Sequence, residues 1–186
     1  MTSSSLPSAS TGRGTSLYVH VPFCVVKCGY CDFTSYVVED GAVHDRFLAA
    51  LDRELDAAWR GGAPASVFIG GGTPSLLDAA RLTRLFEVIG RHVDLRAGAE
   101  VSMEANPESI TREKVAIARA AGVNRLSMGV QSFDDEVLRF LDRAHDAARV
   151  RAAVAEVRAA GIDNLSLDLI FSIPAQVLAQ WEQDLE

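Results

Sequence analysis

No run of apolar residues in this 186-residue chain is long enough to cross a bilayer. Positive charge is in deficit as well: 18 Lys and Arg stand against 25 Asp and Glu, a net charge of −7. An acidic surface repels phosphate backbones, which argues against nucleic acid as a partner. Met1 to Thr15 is rich in Ser and Thr and lacks the apolar centre of a secretory signal. Residues 1–15 read as a disordered tail with little to bury, residues 16–186 as one domain, and the expected location is the cytoplasm. Cysteine is scarce, with three in the whole chain. Where thiols stay reduced, clustered cysteines point to metal binding or catalysis before disulfides. The rest is an ordinary globular composition, 48% hydrophobic and 23% charged, with length enough to bury a core.

Short β-rich runs alternate with helical ones. Leu17–Val21 reads as a first strand. Residues 41–60 read as a helix with Val43, Phe47, Leu51, Leu55 and Trp59 on one face, stopped by Gly61-Gly62. A strand over Ser66–Ile69 runs into Gly70-Gly71-Gly72. A helix carrying Leu82, Leu85, Phe86 and Ile89 leads to a strand over Glu100–Glu104. A third helix starts at the N-cap Thr111 and ends at Gly122. A strand over Arg125–Val130 is followed by two helical pieces over residues 134–160. A strand over Asn164–Phe171 and a helix from Leu178 complete the pattern. Residues 119–127 are echoed by residues 158–166, each with glycine where a helix must reverse into a strand. Repeated αβ units of this kind favour a parallel sheet, closed as a barrel or open and doubly wound. Both architectures put functional loops at the carboxyl ends of the strands. The cysteines, the triple glycine, Glu104, Gln131 and Asp168 all fall in or near those ends.

All three cysteines lie in Cys24-Val-Val-Lys-Cys28-Gly-Tyr-Cys31. Three thiolates on one loop can hold three irons of a [4Fe–4S] cube and leave the fourth iron open, whereas many clusters use four cysteines. Zinc is the rival, with His20 as fourth ligand; His20 is otherwise a hydrogen-bonded strand histidine. Glycines at Gly71 and Gly72 let backbone approach a ligand closely, or simply make a tight turn. His44, His92 and His145 are expected at the surface.

A Cys-x₃-Cys-x₂-Cys loop after a first strand resembles the signature of the radical S-adenosylmethionine (SAM) enzymes. Tyr18-Val-His-Val-Pro-Phe-Cys24, Gly70-Gly-Gly-Thr-Pro-Ser75, Glu104-Ala-Asn-Pro-Glu108 and Gly129-Val-Gln-Ser-Phe133 narrow the resemblance. They are similar to the branch that holds the oxygen-independent coproporphyrinogen III dehydrogenases and the heme chaperones. The resemblance runs from about Leu17 to the C-terminus and implies an α/β fold, a partial parallel (β/α) barrel with about five βα units. It implies a [4Fe–4S] cluster on Cys24, Cys28 and Cys31, with SAM on the open iron, cleaved by an electron to methionine and a 5′-deoxyadenosyl radical. Tyr18, Tyr30, Gly71, Gly72, Thr73 and Glu104 would bind SAM. Gln131, Arg143 and Asp168 match residues that touch a second SAM, with Arg143 as an ion-pair partner for Asp168. A donor such as flavodoxin or ferredoxin would supply the electron.

Cys31-Asp32-Phe33 resembles the heme chaperones (the HemW type) more than the dehydrogenases, which carry a further cysteine just after the third. The implied partners are heme, or a porphyrinogen on the dehydrogenase alternative, and a heme acceptor. The family's chain continues beyond this one, so the resemblance also implies a C-terminally incomplete domain. The sixth strand and the heme-binding region would lie outside it, and the last strand would be an open edge. The family pattern after that strand is Gly-x-Pro-Gly-Gln-Thr, where this chain has Ser172-Ile-Pro-Ala175-Gln-Val177. Both glycines are replaced, which puts the geometry of that loop in question.

Overall fold

The structure is a computed structural model and describes residues 15–60, 62–96 and 98–186. The expected tail, up to residue 14, and Gly61 lie outside the described residues.

Seven strands and six α-helices are present among the described residues. They are β1 Leu17–Val21, β2 Phe23–Cys24, β3 Tyr36–Val37, α1 Gly41–Ala58, β4 Ser66–Gly71, α2 Ala79–His92, β5 Glu100–Ala105, α3 Arg112–Ala121, β6 Arg125–Gln131, α4 Asp135–Phe140, α5 Ala147–Ala159, β7 Leu165–Leu169 and α6 Leu178–Leu185. A short 3₁₀ turn over Pro74–Leu76 follows β4. Five strands form one parallel sheet in the order β1-β4-β5-β6-β7. That order never reverses. A doubly wound sheet reverses at its centre, so the choice left open by the αβ pattern falls to the barrel segment. The helices pack in the same succession, α1 on α2, α2 on α3 and α3 on α5.

Thr111 caps its helix as expected, and Asp40, Asp78, Asp134 and Asp146 cap theirs in the same way, each accepting a hydrogen bond from a first-turn N–H. The echoed glycines, Gly122 (φ 120°) and Gly161 (φ 84°), both end helices in the left-handed region. In both copies the following residue donates to a carbonyl five positions back, Val123 to Ala118 and Ile162 to Val157. One helical face differs from expectation. His44, Leu48, Leu51 and Leu55 form the buried stripe of α1, while Val43, Phe47 and Trp59 are half-buried. A stripe drawn at every fourth residue drifts off a helix that turns 3.6 residues per cycle.

The core is continuous across the sheet, with Val19, Val21, Ile69, Val101, Met103, Leu126 and Met128 nearly inaccessible beneath Leu82, Leu85 and Ile89 of α2. β7 is different. It is the edge of the sheet and none of its residues is buried. Phe171, Leu178 and Leu185 beyond it are more than 60% exposed. Among the described residues no helix is long and apolar enough to cross a membrane.

Candidate functional site

The cysteine loop leaves the sheet at Val21 and is closed by a separate two-stranded pair, β2 with β3, at Tyr36–Val37. Three ties close its base: the β2–β3 pair, Tyr36 N–H on the Pro22 carbonyl at 2.8 Å, and the His20 ring on the Thr34 carbonyl at 2.8 Å. These two-residue strands were not visible as elements in the sequence, being too short to show a period. Within the loop, Cys31 N–H bonds the Cys28 carbonyl at 3.0 Å. All three cysteines are free, Cys28 buried and Cys24 and Cys31 half-buried.

His20 settles its own role. Its Nε2 donates to Thr34 and its Nδ1 meets the Tyr18 hydroxyl at 3.0 Å. Both nitrogens are occupied, so it is the hydrogen-bonded strand histidine and not a zinc ligand. Among the described residues no group of three or more His, Cys, Asp or Glu side chains is gathered closely enough for a single metal ion.

The cysteine loop after β1 and the carboxyl ends of β4, β5, β6 and β7 surround one cavity, about 130 Å³ in volume. Cys24, Cys28, Cys31, Tyr30, Gly71, Gly72, Thr73, Glu104, Gln131, Arg143 and Asp168 all line it. Tyr18 alone of the expected site residues does not; it is 56% exposed, stacked on Phe68. Tyr30 also borders a neighbouring apolar groove of about 380 Å³. A larger groove of about 620 Å³ lies between α2 and α3. None of the expected site residues touches it, so size alone does not locate the chemistry here. Ser35, Asn106, Ser127 and Gly129 also line the site. No role was assigned to them from sequence; for Asn106 the signal was its place within Glu104-Ala-Asn-Pro-Glu108.

Two expectations are corrected. Arg143 does not pair with Asp168. Its guanidinium donates to the Gly129 carbonyl (2.8 Å), the Tyr30 hydroxyl (3.3 Å) and the Cys28 sulfur (3.7 Å). Asp168 instead accepts from the Ser127 hydroxyl at 3.0 Å and is exposed, because it sits on the edge strand and needs no ion pair. The histidines expected at the surface are not there. His44 is buried under the Phe23 ring and bonds the Val38 carbonyl, and His92 is half-buried on Asp52. His145 is buried, held by Glu108 and the Val130 carbonyl. Each is drawn in by a tertiary acceptor that no neighbour in sequence announces.

Two glutamates mark the electrostatics. Burial pushes the Glu104 carboxyl above its ordinary range; the Gly71 N–H at 3.0 Å opposes this, and the Asp168 charge adds to it. For Glu108, burial acts upward, but hydrogen bonds from His145 and backbone, with the Arg143 charge, carry it below the ordinary range. Burial acts against the Arg143 charge, and Tyr30, Glu108 and Cys28 more than restore it.

From the wall a polar lattice runs back into the protein. Asn106 Nδ2 donates to Thr73 Oγ1 (3.1 Å), whose hydroxyl lies 3.7 Å from the Cys24 sulfur. Ser75 and Ser109 hydroxyls meet at 2.7 Å, and Lys114 Nζ bonds both their carbonyls, at 2.8 and 2.9 Å. This ties the loop after β4 to the loop after β5.

The residues fit a cluster with one open iron and a small polar ligand on it. Three thiols share one loop. Arg143 Nε and Ser35 Oγ are buried in the lining without a protein partner. At Gly72 a Cβ would stand 2.6 Å from the Phe23 carbonyl oxygen and 2.9 Å from the Cys24 sulfur, so only glycine lets the backbone come this close.

A family model for the radical SAM superfamily matches residues 18–186, and the chain belongs to that superfamily. Within it, the chain is 46% identical over 170 residues to the heme chaperone HemW of Mycobacterium tuberculosis, covering 89% of this chain and 44% of that protein. It is 39% identical over 173 residues to HemW of Escherichia coli, covering 91% and 46%. Among solved structures it is similar to coproporphyrinogen III oxidase (HemN) of Escherichia coli, with a TM-score of 0.84 and 32% identity over 95% of this chain and 42% of that one. The chain thus spans less than half the length of these relatives.

Proposed function

We propose that this chain is the cluster- and SAM-binding core of a cytoplasmic heme chaperone of the HemW kind. The observation that carries the reading is that thiols from one loop and polar groups from four strand ends meet at a single cavity. Cys24, Cys28 and Cys31 would hold a [4Fe–4S] cluster, with SAM on its open iron. When bound, the pair supplies one-electron cleavage chemistry that no side chain can perform.

The chain's own residues bind and orient. Gly71, Gly72 and Thr73 offer backbone and hydroxyl groups to SAM, and Glu104, held by the Gly71 N–H, offers a carboxylate to its ribose or amino end. Tyr30 and Arg143 close the wall beside Cys28. Arg143 sets a fixed positive charge next to a sulfur that must be ionised to bind iron. Gln131 and Asp168 would serve a second SAM. A flavodoxin- or ferredoxin-like protein would deliver the electron. Heme is cargo, passed to an acceptor protein, with its binding region expected outside this chain.

Cys31-Asp32-Phe33 and the identity to the HemW chaperones favour the carrier over the oxidoreductase. The structural likeness to HemN supports the alternative, an oxygen-independent coproporphyrinogen III dehydrogenase. Anaerobic reconstitution with iron and sulfide should yield a brown protein whose reduced-cluster spectrum changes on adding SAM, with no decarboxylation of coproporphyrinogen III. Turnover of that substrate would establish the alternative; a protein that takes up no iron would end both readings.

A further inference from the structure

The end of β6 is the most constrained backbone at the cavity. Gln131 lies at φ 71°, left-handed for a residue with a side chain, and the pairing with β7 shifts register between Gly129 and Gln131. Three successive carbonyls there are held, two by the segment between α4 and α5 and one by the residue after β7. Arg143 takes Gly129 O at 2.8 Å, His145 Nε2 takes Val130 O at 3.1 Å, and Ile170 N–H takes Gln131 O at 3.0 Å. Of these donors only His145 has a side chain with no exposure, and it does not line the cavity.

The His145 ring is held at both nitrogens. Nδ1 lies 2.9 Å from Glu108 Oε2 and Nε2 meets a carbonyl, which can only accept. Burial acts to raise the Glu108 pKa, and hydrogen bonds from His145 and backbone, with the Arg143 charge, hold it below the ordinary range. The ring thus bridges the loop after β5 to the end of β6, with Nε2 donating to the Val130 carbonyl and Nδ1 against the Glu108 carboxyl. Without it the Val130 carbonyl would be left buried and unpaired.

We propose that His145, oriented by Glu108, is a positioning residue that holds β6 in the strained form which presents Gln131 and Gly129 to the bound nucleoside ligand. The ligand side of this statement rests on the SAM-site reading; the backbone side does not. Both sides are read on the reconstituted protein for His145→Phe, His145→Gln and Glu108→Gln. The measurements are iron and sulfide content, amide hydrogen exchange across residues 129–133, and SAM affinity by equilibrium binding.

His145→Phe should keep wild-type iron, speed exchange in that segment about tenfold and weaken SAM about tenfold, the scale of one buried hydrogen bond lost. His145→Gln, which can still donate to Val130 O, should recover most of both. Glu108→Gln should give a smaller change of the same kind. If His145→Phe does not fold, Glu108→Gln decides the matter by its exchange alone. Unchanged exchange in the folded variants overturns the proposal. So does faster exchange with unchanged SAM affinity. Should the wild type bind no SAM, the site reading falls, and the exchange result still supports or overturns the strut.

Discussion

The inner wall of the cavity and the lattice behind it are built from the same loops on opposite terms. Glu104 and Glu108 sit four residues apart and show the contrast. Glu104 faces the cavity with one N–H partner, and burial raises its pKa. Glu108 faces the protein, paired to His145, and its pKa falls. The wall leaves Arg143 Nε and Ser35 Oγ without a partner and Glu104 with one N–H, whereas Glu108, His145 and Lys114 behind it are each held at more than one point. A binding site needs the first, and the second keeps it in place.

Breaking the wall at its centre should have the largest effect. Cys28→Ala should abolish iron uptake and every SAM-dependent spectral change, measured by metal analysis and electron paramagnetic resonance after reconstitution. A retained cluster would break the comparison outright. Next comes Glu104→Gln. A carboxylate whose folded pKa is raised loses stability as pH rises through that range, so at neutral pH it costs stability. The variant should therefore melt higher than wild type while SAM binding weakens at least about tenfold.

In the backing the signs reverse. Lys114→Met strips two buried carbonyls of their donor and should destabilise by about 1–3 kcal/mol in denaturant titrations, with iron content unchanged. Glu108, with its lowered folded pKa, contributes stability that is complete above the ordinary glutamate range and disappears as pH falls through the lowered value. Stability measured against pH should drop there for wild type and flatten in Glu108→Gln. The smallest effects belong to the loop after β7. Ser172 (φ 62°) and Ala175 (φ 67°) hold left-handed conformations at the two positions where the family pattern has glycine. The turn geometry is retained with the wrong residues in it. Ser172→Gly and Ala175→Gly should each stabilise by about 1 kcal/mol, checked by thermal melts.

Much of the fold was legible because its signals are local. The Thr111 cap, the glycine stops and the apolar runs of β4, β5 and β6 placed these elements within a residue or two, while the aspartate caps of α1, α2, α4 and α5 were not picked out. The edges were less so: β7 is shorter than its apolar run suggests, because only one side of it has a strand to pair with. At the site, thiol spacing and family motifs named the wall residues, with Tyr18 the exception. They did not reveal the lattice of Ser75, Asn106, Ser109 and Lys114, whose members are 31 to 39 residues apart in their cross-loop bonds.

The order of helices and strands, their caps and stops, and the gathering of three thiols on one loop were determined by the amino-acid sequence itself, since each depends on neighbours a few positions away. Tertiary structure alone decided that the sheet runs on without reversing, that Arg143 turns to Cys28 and Gly129 while Asp168 stays on an exposed edge, and that His145 is buried. It also brought Asp184 of α6 back to accept from Ser132 and the Phe133 N–H. These are pairings of polar groups far apart in the chain, and a buried group takes whichever partner the packing brings within reach.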